Sequence, residues 1–308
     1  MLNLEIQTKK FADFEEIQDL SPDDVFLVHD GRGVKKVKAS QLNIGKGDDN
    51  NNNNDLLALL GEGAGPHNSI YRGKFLGGVV TPEQRAEIQS GKFNDLYIGD
   101  FWIINGITWR IAAFDYYFGC GDTEANLLRS HHVTIVPDTT VGANQQMNGT
   151  NVTTGAYVGS AMRGNAGAAI AAGHLNAVRT IINAAFPGMV LRHRNYLNNA
   201  VTTGRVSGGL WADSDIELMN ETMVYGCKQF APGEDGTNLV LDHVISKSQL
   251  PLFQYRHDLI RAQNTPWISY WLRDVVTASF FALVYFDGSA TYGTASASLG
   301  VRPAFSIS

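Results

Sequence analysis

The chain reads as an α+β protein built around antiparallel hairpins, and three observations carry that reading. Asn105-Gly106 joins two apolar runs, the strongest short hairpin signal. Thr81-Pro82-Glu83-Gln84 and an Ala-rich stretch closed by Pro187-Gly188 mark helices. The strand-like runs follow one another without intervening helices, so no alternating parallel pattern develops. Length and composition agree with one or two folded units. The 308 residues are 44% hydrophobic, enough for a core, and only 18% charged, with 32 Gly.

Taken in order, Val25–Val28 reads as a short strand after the turn signal Ser21-Pro22-Asp23-Asp24. Val34–Lys38 is its hairpin partner across His29–Gly33. Residues 1–44 therefore form a small β-rich module, too short to bury much alone. Residues 45–66 follow as a linker with five consecutive Asn and a short apolar helix over Asp55–Leu60. From residue 67 to 308 the chain is globular. A helix is expected from Pro82 to about Ser90, and strands over Leu96–Asn105, Ile107–Tyr117 and His131–Val136. The longest helix is placed at Ala166–Phe186 and a short one at Asp215–Met223, while the tail from Trp267 to Ile307 reads as strands and loops.

Several function classes fall away. A net charge of −6 does not suit a nucleic-acid binder, and no run approaches the length of a membrane span. The opening sixteen residues carry no secretory pattern, so synthesis in a cytoplasm is expected. His131-His132 lacks metal-ligand spacing, and adjacent strand residues point to opposite faces, so no metal is expected. Cys120 reads as an exposed loop thiol and Cys227 as a thiol in an apolar setting, both unpaired. Arg192-His193-Arg194 reads as a helix end paired with acids rather than an anion site. The Gly204–Gly209 stretch does not follow a strand and open a helix at phosphate-binding spacing. No catalytic residue and no cofactor are assigned.

The charge is uneven. Eight of the ten lysines lie within residues 1–92. Residues 274–299 carry only Asp274 and Asp287 as charges, and contain no Lys, Glu, Gln, Met or Trp. They consist of Ser, Thr, Ala, Gly, Tyr and Phe with a few aliphatics, the palette of antibody-type binding loops. Trp267, Trp271 and Arg273 stand before them and Arg302, Pro303 and Phe305 after.

Trp271-Leu272-Arg273 together with Gly300-Val301-Arg302-Pro303-Ala304-Phe305 resembles the end of C-type-lectin-like domains of bacteriophage and gut bacterial surface proteins, some of them variable proteins of diversity-generating retroelements. Ile70–Lys74, Tyr97–Trp102, Trp109–Asp115, His131–Asp138 and Asn151–Tyr157 are similar to earlier parts of the same phage proteins. Leu20–Val28 with Lys35-Lys36-Val37 looks like a module at the start of phage fibre proteins. The resemblance implies a C-type-lectin-like domain over residues 67–308 on a virion fibre or receptor-binding protein. Other virion proteins would be held through residues 1–44, a homotrimer formed, and a bacterial cell-surface receptor, protein or glycan, bound at the C-terminal end. In retroelement systems, mutable codons of NNY type cannot encode the five residue types missing from 274–299. The resemblance therefore assigns the variable surface to Ser279, Phe281, Leu283, Tyr285, Phe286, Asp287, Ser289, Thr291, Tyr292 and Thr294. Trp267, Trp271, Arg273, Arg302, Pro303 and Phe305 become its scaffold. No clustered acid/Asn motif marks a calcium site. Alternatives are a head-fibre or capsid decoration protein with a glycan-binding role, and a formylglycine-generating-like oxidase, which needs two cysteines close in space.

Overall fold

The computed structural model describes residues 25–29, 34–38, 63–151, 157–164, 173–198, 201–202, 205–206, 209–232 and 248–308. The chain divides into two compact units, Met1–Gly61 and Glu62–Ser308. In the first, β1 (Val25–His29) pairs antiparallel with β2 (Val34–Lys38), with Val25 opposite Lys38 and His29 opposite Val34. The expected turn at Ser21–Asp24 and the expected helix at Asp55–Leu60 lie outside the described residues.

The second unit is a mixed α+β domain in which sheet predominates. After α1 (Ala64–Asn68), β3 (Phe75–Gly77) and α2 (Pro82–Ser90), β4 (Phe101–Ile104) and β5 (Ile107–Phe114) form a hairpin. Its turn residues Asn105 and Gly106 have φ of 52° and 75°, the paired positive values that a two-residue turn demands. β6 (Val133–Pro137), β11 (Ile216–Leu218) and β15 (Pro303–Ile307) complete a six-stranded sheet of order β11-β15-β6-β5-β4-β3. All its pairs are antiparallel except β3 with β4. The C-terminal strand thus sits inside the sheet, and all five of its residues are buried.

α2 follows its sequence signals closely. Thr81 Oγ1 accepts from Gln84 N, Gln84 returns the bond to Thr81 N, Pro82 begins the helix and Gly91 closes it. α3 (Leu175–Ala185) buries Leu175, Val178, Ile182 and Ala185 at helical spacing. Phe186, just past its end, meets Trp109 at 5.5 Å and Phe305 at 5.4 Å, which ties the helix to the sheet. α3 is shorter than the expected 166–186. Residues 166–172 lie outside the described set, and at Gly173 a Cβ would stand 2.4 Å from the backbone of Arg163.

β7 (His193–Asn198) pairs with β10 (Gly209–Ser214), and β8 (Val201–Thr202) with β9 (Arg205–Val206). The expected helix at Asp215–Met223 is replaced by β11 followed by α4 (Glu221–Tyr225). Pairing of Ile216 with Phe305 and of Leu218 with Pro303 draws the first half into the sheet. Asn220 then caps the helix by accepting from Met223 N at 2.7 Å. The expected strand over Leu96–Asn105 forms only from Phe101, because Asp95 and Gly99 adopt positive φ and Asp100 turns the chain. After α5 (Pro251–Tyr255), the tail forms a second sheet of β12 (Tyr270–Thr277), β13 (Phe280–Val284) and β14 (Ala290–Thr294). A parallel bridge between Tyr270 and Gly300 joins it to the segment that leads into β15.

Candidate binding face

β13 and β14 pair with Phe280 opposite Thr294, Ala282 opposite Tyr292 and Leu283 opposite Thr291. Because strand side chains alternate, Phe281 and Leu283 project to one face of the sheet with Trp271 of β12. That face is core: Phe281 is 0% exposed and Leu283 5%. Trp271 is buried among them, its ring 6.5 Å from Phe281 and its Nε1 donating to Gln145 O at 2.9 Å. Gly293 makes this packing possible, since a Cβ there would lie 2.9 Å from Leu283 Cδ2. Phe281 and Leu283 therefore do not belong to an exposed surface, contrary to the expectation. Composition does not reveal this burial, which covers both faces of β13, since Ala282 and Val284 are buried as well.

The turn from β13 to β14 is tightly specified. Tyr285 N donates to Ser289 O at 2.8 Å and Gly288 N to Tyr285 O at 2.9 Å. Asp287 Oδ1 accepts from both Ser289 N at 2.9 Å and Ser289 Oγ at 2.7 Å, and these bonds hold its carboxyl below the usual range. Gly288 has a φ of 97°, and its carbonyl accepts from Tyr225 Oη at 3.1 Å. With the backbone held this way, Tyr285 and Phe286 turn outward with ring centroids 4.3 Å apart. Trp267 lies stacked on Phe286 at 6.5 Å and 23°, and the Arg261 guanidinium covers the Trp267 ring at 4.0 Å. Trp267, expected as scaffold, is 54% exposed and belongs to this row instead.

A second group stands on the opposite side of the hairpin from Trp271. Exposed Tyr292 meets Phe280 at 5.5 Å and Phe230 at 5.2 Å. Phe230 arrives from a loop whose backbone N–H groups at Gln229, Phe230 and Ala231 all donate to the buried Glu221 carboxylate at 2.9–3.0 Å. Asp287 and Ser289 are exposed, whereas Ser279, Thr291 and Thr294 are half-buried. Phe230, Phe280 and Arg261 were not singled out from the sequence. Alternation from Phe281 could have given Phe280, but no local signal distinguishes Phe230.

The remaining scaffold residues are buried. Arg302 donates Nε to Pro137 O at 2.7 Å and Nη1 to the carbonyls of Leu259 and Ile260 at 2.9 and 2.8 Å. Arg273 Nη1 donates to Leu218 O at 3.0 Å, and Pro303 and Phe305 pair with Leu218 and Ile216 in the main sheet. Next to Arg273, the fully buried Asp274 has its pKa pushed up to about 6 by burial and by the Glu221 carboxylate, against the bond it accepts from Glu221 N.

The other chemical candidates find partners elsewhere. His131 Nδ1 lies 2.7 Å from Asp115 Oδ2. His132 is buried, donating from Nδ1 to Ser130 O and accepting at Nε2 from Tyr117 N. Among the described residues no three His, Cys, Asp or Glu side chains gather as a metal site. The cysteine environments are the reverse of those expected. Cys120 is buried with Sγ 3.3 Å from Arg194 O, Cys227 is exposed, and neither forms a disulfide. Folding of Tyr117–Cys120 against β7 buries the first. Arg192–Arg194 lies at the start of a strand, not at a helix end, although Arg194 does pair with Asp122 at 2.8 Å and Asp213 at 3.0 Å. No known protein family, curated protein or solved structure matches the chain, so the face is judged on its geometry. It offers rigid aromatic area, hydroxyls, the exposed Asp287 carboxylate and the Arg261 guanidinium over Trp267.

Proposed function

We propose that the chain is a non-enzymatic bacteriophage fibre or receptor-binding protein, and that its second unit is a C-type-lectin-like domain recognising a bacterial surface receptor. The observation that carries this reading is the set of exposed aromatics, Tyr285, Phe286 and Tyr292 on the β13–β14 hairpin and Trp267 stacked on Phe286, held on a hairpin that Trp271, Phe281 and Leu283 lock into the core. Exposed aromatics in this number mark an interaction site, and Tyr and Trp give contact area at low entropic cost. A buried frame that holds changeable loops suits a surface that must vary without unfolding. In this reading residues 1–44 attach to other virion proteins and the fibre is a homotrimer, so modest affinity per copy is multiplied by effective concentration.

The test is binding of the intact protein to host cells that it recognises. Tyr285→Ala with Phe286→Ala is expected to weaken binding by about tenfold or more, since central aromatic anchors carry most of an interface's energy. Replacing residues 274–299 by those of a sibling protein is expected to change which cells are bound. Unchanged binding in both folded variants would sink the reading.

A further inference from the structure

Away from the aromatic face, the segment Ala125–Ser130 and the start of β7 enclose an open cleft of about 510 Å³. This volume falls within the ~300–1,000 Å³ common for small-molecule sites. Arg129, Arg192 and Arg194 line it, with Asp213 as the one lining carboxylate. The three guanidinia are not equivalent. Arg194 is fixed between Asp122 and Asp213. Among the described residues Arg129 pairs with Glu124 alone, at 2.7 Å between two exposed side chains, a bond that a ligand can replace at little cost. Arg192 is exposed and, among the described residues, makes no hydrogen bond or ion pair. Asp122, Asp213 and Glu124 balance the charges of Arg194 and Arg129, so Arg192 is the cation of the cleft with no acid beside it among the described residues.

The ring of His193 turns away from Arg192 and Arg194 into the core, where it is 8% exposed and packs on Tyr117 at 4.2 Å. Burial lowers its pKa to about 3 against the pull of the Leu191 carbonyl, so it is uncharged at neutral pH and the cleft's cations are the arginines alone.

We propose that this cleft binds a small organic oxyanion, a carboxylate or a phosphate, gripped by Arg192 and by Arg129 once the ligand displaces Glu124. Guanidinium forks match both anions by paired hydrogen bonds, whereas an uncharged sugar offers them nothing comparable. The proposal does not rest on the receptor-binding reading, because it uses none of the residues of the aromatic face.

The test is calorimetric titration of the full chain at pH 7.5 and constant ionic strength, with D-glucuronate, inorganic phosphate and glucose. Saturable binding of glucuronate or phosphate but not glucose is expected, and the stronger of the two identifies the anion. Arg192→Ala should weaken it by about tenfold or more, Arg192→Lys by less, and Tyr292→Ala not at all. Arg192 is exposed and makes no bond among the described residues, so its replacement tests the site without threatening the fold. Absence of saturable binding by both anions would overturn the proposal, as would equal affinity in Arg192→Ala.

Discussion

Arg302 shows how a single side chain can hold two parts of this domain. The residue is 0% exposed and, among the described residues, meets no carboxylate; its bonded nitrogens are satisfied by carbonyls from Pro137, Leu259 and Ile260, with the Tyr270 and Phe253 rings at 5.2 and 5.6 Å. One cation thus gathers β6, the segment after α5 and β12. Arg302→Met is expected to take a donor from three carbonyls, of which Ile260 O keeps the Tyr270 hydroxyl, and cost about 3 kcal/mol or more, read as a lowered urea midpoint. An unchanged midpoint would refute the role. Asp274 carries the pH dependence at this scale. Its folded pKa of about 6 lies above the ordinary 3.8, so its charge costs stability above pH 6, and the cost is relieved as pH falls toward 4. The penalty at neutral pH is about 3 kcal/mol. His193 acts in the opposite sense: with its pKa lowered from 6.5 to about 3, it loses stability as pH falls through that range. Asp274→Asn isolates the first effect, since Asn still accepts from Glu221 N. The variant should be more stable than the parent at pH 7.5 and converge with it below pH 4; parallel curves would count against the assignment. The buried state of Asp274 was not legible in the sequence, where it looked like the first charge of an exposed loop. Its depth comes from β12 lying between Met219 and β13, a long-range arrangement.

At the scale of elements, legibility followed the range of the forces involved. The capping box of α2 and the Asn105-Gly106 turn are local, and both stand where the sequence puts them. Thr81→Ala should therefore cost about 1 kcal/mol in thermal unfolding, and no loss would mean that the cap bond is idle. Residues 215–223 failed as a helix because Ile216 and Leu218 pair with residues almost ninety positions away, an interaction that no local window contains. The β13–β14 hairpin lies between these cases. Its low charge was visible, but its inward and outward residues were not separated until Phe281 and Leu283 met Trp271. Gly293→Val tests that packing directly, since the added atoms must displace Leu283 or the Trp271 ring. A loss of about 1–3 kcal/mol is expected together with weaker cell binding, because the same displacement moves Tyr292. Stability lost without any change in binding would separate the hairpin's core side from its exposed side.

At the scale of the whole molecule, low charge belongs to a place as well as to an average. Lysines concentrate in residues 1–92, while the exposed residues of 274–299 carry one charge, Asp287. The two compact units match that division of labour, with attachment proposed for the first and recognition for the second. Among the residues whose burial is described, every buried core side chain falls between Val80 and Ile307. Residues 62–308 alone are therefore expected to unfold cooperatively at the same temperature as the main transition of the intact chain, followed by calorimetry. A lowered or broadened transition would mean that residues 1–61 contribute to the second unit's stability. If the intact protein is a multivalent fibre, the isolated unit should compete for cells only at about a hundredfold higher concentration per binding site, since linked copies gain ~10²–10⁴ in avidity. Equal potency per site would remove multivalency while leaving the binding face intact. Loss of all competition by a unit that still melts at the same temperature would instead move recognition out of residues 62–308. The two measurements together separate how the molecule folds from how it is displayed.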